Sequence, residues 1–435
     1  MFSNIFTTIS RYAQLYQPNQ YSVFFDAPCK TNLKMMNIME IAQFDSSTNI
    51  KTLLVVGPKP PPLGGATLNV QLLLDEIGKN RAIHTITINT SPRTYRKKTS
   101  FAKIETLCRA FTILRMYLKS VRTSDAVLLF TTYSFLSTLG CLLLLIARKY
   151  HVPFYVKPLG AELGLHLGSQ NRLVRIFTLT LLRAATGVFP QTRKLETQLA
   201  ELLCTNLYYV PGYRPAHFNT SPPKRSPGEF RLVFLAQIVR EKGPMVLLEA
   251  LRILEQEFKL RVECDFYGPI LDDDQTEFLT QIEATQGARY RGIAEPGTAS
   301  QLMARYDALV FPTCFVSEGH PGVIIEAMQA GIPVISTQFP AVTELITDGQ
   351  NGFLVPREDS RALASRIKLL ALDPTLREKM GKSNFQRGRK FRSDFVVSQM
   401  IEIIFPGFSI RHPQAKSLPV FNCHSSRFIQ EGISE

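Results

Sequence analysis

Long apolar runs alternate with segments of helical periodicity along the chain from residue 51 onward. The runs at 51–57, 126–131 and 232–236 are continuous, which is typical of strands buried on both faces of a parallel sheet. Each run is followed by a segment whose apolar residues recur every three or four positions, as in an amphipathic helix. Strands and helices in alternation predict parallel sheets covered by helices on both faces.

The alternation forms two series, separated by a stretch rich in proline, serine and glycine at 211–229. Such a stretch is typical of a connection between domains. A chain of 435 residues also exceeds the size at which one core stops growing. Local patterns further predict a strand at 207–210 and a single helix over 374–404. The predicted organisation is an N-terminal extension at 1–50, a first domain at 51–215, a linker at 216–229, a second domain at 230–390, and a C-terminal helix and tail at 391–435.

The most informative stretch lies at 307–336, where a strand at 308–311 is followed by a loop, a helix over about 322–330 and another strand. This helix is apolar nearly all round, which indicates that it is buried. It nevertheless contains Glu326, and burying a carboxylate costs several kcal/mol unless it is paired or hydrogen-bonded. Some group must therefore donate hydrogen bonds to Glu326, and the paired hydroxyls of a ligand would do so.

A turn of sequence Glu-Gly-His-Pro-Gly at 318–322 leads into that helix. Glycines let backbone amides approach a ligand closely, and free amides at a helix start favour a diphosphate. The structural alternative is a pair of acidic residues flanking a tight turn on a core helix.

Lys242 and Gly243 stand between a strand and the helix that follows it. This is a phosphate-binding arrangement by charge and by position, with Arg240 as a supporting cation. A Lys-Gly pair ahead of a helix is also common without any ligand, so a structural role remains the alternative.

Composition narrows the class of protein. The formal charge of +14 predicts anionic partners, but the chain lacks zinc-finger spacings and aromatic-rich basic stripes, so we expect no nucleic acid. Seven scattered cysteines without a C-x-x-C pair are typical of reduced thiols in the cytoplasm and imply no structural metal site. We find no signal peptide, and the longest apolar run, 139–147, is too short to span a bilayer.

The acidic run Asp272–Asp274 could hold a divalent cation, but it follows Gly268 and Pro269 in a turn and is typical of a solvated helix start. We therefore expect neither a metal nor another cofactor.

Several of these residues together carry a resemblance to a known family. They are Lys242-Gly243, the tract Tyr-Arg-Gly-Ile at 290–293, Phe311-Pro312, Glu318 and Glu326 with seven residues between them, and Ala-Gly-Ile-Pro-Val at 330–334. The chain resembles the family 4 retaining, nucleotide-sugar-dependent glycosyltransferases, closely over 230–390 and in topology alone over 51–215. The resemblance implies the GT-B fold, an α/β architecture in which two doubly wound Rossmann-like domains face each other across a cleft.

The resemblance also implies residue roles. Lys242 would bind the diphosphate and Glu326 the ribose hydroxyls, while catalysis would depend on Glu318 and Lys242. The donor sugar would contact Glu318 and the backbone of Gly319, His320, Pro321, Gly322 and Val323. The nucleobase pocket would be lined by Gly292 and Ile293. On the acceptor side, Gly64 and Gly65 would form a glycine-rich loop, unless they belong to a surface turn. Amides and Lys242 would stabilise the departing diphosphate without a metal.

This chain departs from the family pattern at two places. Gln237 stands where the family usually has an arginine, so Arg240 substitutes for it or donor binding is weaker. Leu159 stands where many members have a histidine, and we select Glu162 nearby as a polar group facing the acceptor or the sugar.

Residues 93–122 contain nine Lys or Arg against one acid, Glu105. The pattern predicts a helix over about 101–122, in which Phe111, Leu114, Leu118 and Val121 are expected to share a face. Basic amphipathic helices bind anionic membrane surfaces, although an ordinary solvated helix is the alternative.

The expected function is transfer of a sugar from a nucleotide-sugar donor to a glycan or lipid-linked acceptor with retention, in cell-surface polysaccharide assembly. The enzyme would be a cytoplasmic hexosyltransferase-type glycosyltransferase, peripheral on the inner face of the membrane if the basic helix binds lipid. Two alternatives remain: an inactive nucleotide-sugar-binding scaffold of the same fold, and a nucleotide-sugar epimerase. Donor hydrolysis without acceptor, and product analysis after incubation with donor alone, distinguish them.

Overall fold

Two parallel sheets form the framework of the part of the chain that the structure, a computed structural model, describes. The described residues are 50–61, 64–79, 82–91, 100–160, 163, 171–215, 230–271, 275–295, 297–315 and 318–408. The predicted extension (apart from Ile50), the linker at 216–229, the chain beyond residue 408, Glu162 and Asp272–Asp274 lie outside these ranges.

The first domain contains a five-stranded parallel sheet with the order β2-β1-β3-β4-β5. Its strands are β1 Lys51–Gly57, β2 Ile83–Asn89, β3 Ala126–Thr131, β4 Phe154–Pro158 and β5 Gly187–Val188. Its helices are α1 Gly65–Gly78, α2 Ser100–Ser120, α3 Tyr133–Phe135, α4 Cys141–Lys149, α5 Arg172–Ala184 and α6 Arg193–Glu201, with a π-helical turn, Leu136–Gly140, between α3 and α4.

Alternate residues of β1 explain why this strand is apolar throughout. Leu54 and Val56 belong to the core on one face of the sheet, and Leu53 and Val55 to the core on the other. A central strand of a parallel sheet is buried on both faces, so it needs an apolar side chain at every position.

The second domain contains a six-stranded parallel sheet with the order β11-β10-β9-β6-β7-β8. Its strands are β6 Arg231–Leu235, β7 Glu263–Tyr267, β8 Ala288–Tyr290, β9 Ala308–Phe311, β10 Val334–Thr337 and β11 Gly352–Val355. Its helices are α7 Pro244–Gln256, α8 Gln275–Glu283, α9 Ala299–Met303, α10 Gly322–Gln329, α11 Pro340–Thr343, α12 Ser360–Leu372 and α13 Pro374–Gly388.

The C-terminal helix α14, Ser393–Ile404, packs on the first domain rather than on the second. Its residues Val397 and Met400 belong to the same core as the β1 residues Leu53 and Val55. The hydroxyl of Ser393 also donates to Glu76 Oε1 on α1 at 2.7 Å. This helix therefore ties the end of the second domain to the first.

The structure corrects three local predictions. The helix predicted over 374–404 is interrupted by a 3₁₀ turn at Arg389–Phe391, because Gly388 lies against the backbone of α10 and the chain turns there towards the first domain. Residues 207–210 form no strand: Leu207 makes an isolated bridge to Val188, beside a β5 that is only two residues long. Residues 211–215 are not an exposed connection either, since Tyr213 is fully buried.

The predicted apolar face of α2 is also wrong. The core contains Ile113, Tyr117 and Val121, which recur at intervals of four residues. Phe111 and Leu118, in contrast, are exposed. The buried stripe is therefore displaced around the helix from the predicted one.

Candidate functional site

A cleft of about 270 Å³ lies where loops from both sheets meet. Apart from the segment that carries Arg214, the contributing loops follow the carboxyl ends of parallel strands, which is where open α/β sheets bind ligands. From the first domain and its C-terminal end the lining residues are Gly65, Ala66, Asn69, Thr132, Leu159, Gly160, Gln191 and Arg214; from the second they are Lys242, Phe315, Glu318, Gly319, His320 and Gly322.

Lys242 and Glu318, predicted separately from two motifs, form an ion pair in this cleft. Lys242 ends a 3₁₀ turn after β6, and Gly243 behind it has a φ of +77°, a left-handed conformation that favours glycine. The ammonium also lies 4.6 Å from the centre of the Phe315 ring. Since 16% of each side chain is exposed, both charges are accessible from the cleft.

The N-terminus of α10 opens onto the same cleft. Pro321 is the N-cap and no side chain caps the helix. Ile324 is the residue whose N–H bonds back to the Pro321 carbonyl, at 3.1 Å. The amides of Gly322 and Val323, ahead of Ile324, therefore have no intrahelical partner and are suited to bind an anion.

Glu326 has the partner that its burial requires, and this partner is a residue of the chain. Nε of Arg214 lies 3.1 Å from Oε1 of Glu326, and about 12% of the Glu326 side chain is exposed. Burial raises the pKa of Glu326, although Arg214 acts in the opposite direction. The sequence argument that a ligand must supply the missing hydrogen bonds therefore does not hold by itself, because Arg214 supplies the opposing charge.

The ring of His320 contacts the first domain and does not point into the cleft. Its Nδ1 accepts from the N–H of Gly212 at 3.3 Å, and its Nε2 lies 3.0 Å from Oε2 of Glu344. Glu344 in turn accepts from the backbone amides of Arg193 and Lys194 at the start of α6. Burial lowers the pKa of His320 despite the neighbouring carboxylate. Because Nδ1 accepts a hydrogen bond, Nε2 is the nitrogen that donates to Glu344.

A second buried cation lies beneath the cleft. Lys157, at the end of β4, donates to the carbonyl of Val210, and burial lowers its pKa to about 7. Its charge in turn contributes to the lowered pKa of His320. Lys157 is not among the residues that line the cleft.

The remaining predicted donor residues do not line this cleft. Gln237 follows β6, and Gly292 after β8 accepts from the N–H of Gly268 at 2.9 Å, so both lie at the carboxyl edge of the second sheet. Ile293 beside them is largely exposed. Arg240 lines a different cavity of about 90 Å³, together with residues of α7 and α8.

On the first-domain side, Gly65 lines the cleft while Gly64 caps α1 through the Thr67 hydroxyl, which accepts from its N–H at 2.9 Å. Glu162 lies outside the described residues. The sequence reasoning missed Asn69, Gln191 and Arg214. The available signal for Arg214 was a charged residue in an otherwise proline- and glycine-rich segment, which by itself is typical of an exposed connection.

Comparison with known proteins supports this description of the fold and the second domain. Residues 218–387 match the family described as glycosyl transferases group 1. The capsular polysaccharide biosynthesis glycosyltransferase CapM of Staphylococcus aureus is 25% identical over 179 residues, which is 41% of this chain and 46% of CapM. The colanic acid biosynthesis glycosyltransferase WcaL of Escherichia coli, itself named as putative, is 29% identical over 161 residues, or 36% of this chain and 39% of WcaL. The chain thus spans less than half the length of these curated relatives.

Solved structures are similar over a larger part of the chain. HepE of Anabaena, crystallised with UDP, superposes with a TM-score of 0.61 at 18% identity over 81% of this chain and 98% of HepE. Sucrose-phosphate synthase of Thermosynechococcus elongatus gives a TM-score of 0.63 at 16% identity over the same shares. The chain therefore has the GT-B fold, and its residues 218–387 are similar to the glycosyl transferases group 1 family.

Proposed function

We propose that this protein transfers a sugar from a nucleotide-diphosphate sugar to a glycan or lipid-linked acceptor, with retention of configuration, during assembly of a cell-surface polysaccharide. The observation that carries the proposal is the convergence of Lys242, Glu318 and the uncapped start of α10 in one cleft between two parallel sheets. Cations and helix-terminal amides together are suited to a diphosphate leaving group.

The Lys242–Glu318 ion pair indicates how the donor would be engaged. The diphosphate carries more charge than one carboxylate, so it competes with Glu318 for the ammonium of Lys242. Glu318 is then free to accept hydrogen bonds from hydroxyls of the transferred sugar. As the bond to the diphosphate breaks, Lys242 and the amides of α10 stabilise the charge that develops on it. We propose that these groups suffice without a metal or another cofactor.

The names of CapM and WcaL, which refer to capsular polysaccharide and colanic acid, favour a polysaccharide acceptor. The outer helices of the first domain favour one held at a membrane. Helix α4 packs between α2 and α5, and all three expose apolar side chains. These are Leu107, Phe111, Met116 and Leu118 on α2, Leu142 and Leu145 on α4, and Leu173, Val174, Ile176 and Phe177 on α5. Arg115, Lys119, Arg172 and Arg175 lie among them on the same helices.

Exposed apolar side chains on adjacent helices, with basic residues among them, are typical of proteins that bind anionic lipid. In the parts of the chain covered by the structure, no helix combines the length and the apolar character needed to cross a bilayer. We therefore propose peripheral binding at the cytoplasmic face, where a lipid-linked acceptor would be exposed to the cleft.

The test is a screen of nucleotide sugars with different bases and sugars. A donor should raise the melting temperature of the protein, release its nucleoside diphosphate slowly alone, and transfer its sugar to membrane lipid extract; nuclear magnetic resonance of the product gives the anomeric configuration. Lys242→Ala is the matched control for each readout. Absence of any donor-dependent shift or release would contradict the proposal. A shift without release would favour a binding scaffold, and an isomerised sugar an epimerase.

A further inference from the structure

Arg214 is fixed between the two domains by its backbone and by one edge of its guanidinium. Its N–H donates to the carbonyl of Phe391 at 2.9 Å, and its carbonyl accepts from the N–H of Ser393 at 2.8 Å. Nη1 donates to Oδ1 of Asn69 at 2.8 Å and to the carbonyl of Tyr213 at 2.7 Å. The side chain is thus held in one direction while it lines the cleft.

The guanidinium lies directly against the first residue of α10. A Cβ at Gly322 would overlap Nη2, Cζ and Nε of Arg214, so only glycine leaves room for this contact. The start of a helix carries partial positive charge and unpaired amides, and it repels a cation. An anion placed between the guanidinium and the amides would remove this repulsion and would bind to both.

Glu326 is paired with Arg214 but does not satisfy its N–H groups. Nε lies 3.1 Å from Oε1 of Glu326 at an angle that makes no hydrogen bond, and it is buried. Among the residues that the structure covers, hydrogen-bond acceptors are found only for Nη1. An arginine presents five N–H donors, and buried donors are ordinarily paired. The unpaired Nε therefore indicates an acceptor that the described residues do not supply.

From this geometry we propose that Arg214 is a phosphate-binding residue, acting with Lys242 on the diphosphate of the donor. The inference rests on the proposed function for the identity of that anion. The planar guanidinium suits two phosphate oxygens, and Lys242 lines the same cleft. Because Asn69 of the first domain orients Arg214, the phosphate site is complete only when both domains border the cleft.

Binding of phosphate to Arg214 would release Glu326 from its present partner. A buried carboxylate without a partner requires new hydrogen-bond donors. The ribose hydroxyls of the same nucleotide supply them, so one ligand replaces both halves of the Arg214–Glu326 pair.

The test is a double-mutant cycle on the full chain. Calorimetry measures the binding of UDP, GDP and ADP to the wild type, Arg214→Gln, Glu326→Gln and the double variant. We expect Arg214→Gln to weaken binding of the diphosphate that the wild type binds most tightly by about 10- to 100-fold. This is the effect of losing one or two charge-assisted hydrogen bonds. Arg214→Gln should weaken binding by a similar factor when it is made in the Glu326→Gln variant, because the proposal has Arg214 contact the phosphate directly. Arg214→Lys should give an intermediate affinity, because it keeps the charge without the planar fork.

Two controls separate this effect from loss of charge or of folding. Arg305→Gln removes the same charge from an exposed position and should leave the affinity unchanged. The parent nucleoside of the tightest diphosphate should bind Arg214→Gln at least as well as the wild type. Melting temperatures identify a variant that does not fold. The double variant removes the charges of both Arg214 and Glu326, so neither is left buried without its partner.

An unchanged diphosphate affinity in Arg214→Gln would overturn the inference, as would a loss that disappears in the Glu326→Gln background. Either result would leave the proposed function intact. If the wild type binds none of the three diphosphates, both proposals fail.

Discussion

The two domains share a parallel-sheet architecture but differ in where their functional surfaces lie. The first domain exposes apolar side chains and basic residues on its outer helices α2, α4 and α5. The second gathers its charged residues Lys242 and Glu318 in the cleft, at the carboxyl ends of its strands. Under the proposed function, this difference would divide the tasks within one fold: the second domain would bind the small anionic donor, and the first would meet the membrane surface.

The boundary between these tasks is not the boundary between the domains. Helix α14 follows the second domain in sequence but completes the core of the first, and Arg214 precedes the linker but contacts Glu326 of the second. His320 and Glu344 of the second domain likewise hold Gly212 and the start of α6. The cleft thus depends on contacts from both sides, which gives the comparison between domains testable consequences.

The largest expected effect concerns the donor half of the cleft. Lys242→Ala should reduce kcat for donor hydrolysis or transfer by about 10²- to 10³-fold, the usual effect of removing one group that stabilises a developing charge. Arg240→Ala removes a cation two residues away that lines a different cavity, so it should change kcat far less. Steady-state kinetics on both variants checks this. Equal losses would show that the charge of the whole loop matters and not the position in the cleft.

The next effect concerns the outer surface of the first domain. Arg109, Arg115 and Lys119 changed together to Ser should weaken binding to anionic vesicles by roughly 100-fold, at about 1 kcal/mol for each basic residue near the surface. A second variant, with Phe111 and Phe177 both changed to Ser, should also weaken vesicle binding, because these side chains are apolar and exposed. Vesicle sedimentation at increasing salt measures both contributions.

Wild-type binding in that assay should fall steeply with salt, since the Debye length is only about 8 Å at physiological ionic strength. Binding that ignores salt and both sets of substitutions would show that this surface is not the membrane contact. No vesicle binding at all would favour an acceptor free in solution.

A smaller effect compares the two glycine-containing loops. Gly322→Ala should destabilise the protein by about 1–3 kcal/mol, because its Cβ would overlap the guanidinium of Arg214 and force a shift in packed side chains. Gly65→Ala places a Cβ 3.9 Å from Nη2 of the same arginine, an ordinary contact, and should change stability by less than about 1 kcal/mol. Calorimetric melting curves of the two variants measure the difference. Similar curves for both would mean that Arg214 moves freely.

The smallest expected effect is that of chelation. Excess chelator should leave the rate of donor hydrolysis unchanged, because Lys242 and the amides of α10 carry the positive charge at the diphosphate. Activity that is lost with chelator and restored by manganese or magnesium would assign a metal-binding role to a carboxylate group such as Asp272–Asp274.

Local sequence was sufficient for most of the framework. The bounds of β1, β3 and β9 were predicted to the residue, because a continuous apolar run between turn residues leaves a central strand little freedom in position. The placement of Lys242 and Glu318 in one donor site followed from the family resemblance. Both lie in loops that follow strands of one parallel sheet, and the carboxyl ends of such strands lie at one edge.

Tertiary structure decided the features that depend on distant contacts. The sequence pattern at 374–404 is helical throughout, but the helix is interrupted where the chain returns to the first domain. There Ser393 bonds to Glu76, which is 317 positions away in sequence. Segment 211–215 has the composition of an exposed connection, yet it is buried between the domains.

Glu326 shows the limit most clearly. Its apolar helix alone established that a buried carboxylate needs a partner, because the cost of burying an unpaired charge is independent of where the partner comes from. The identity of that partner depends on distance and angle between segments that meet only in the folded chain. Hence the sequence determined that Glu326 must be paired, and only the tertiary structure decided that Arg214 is the residue beside it.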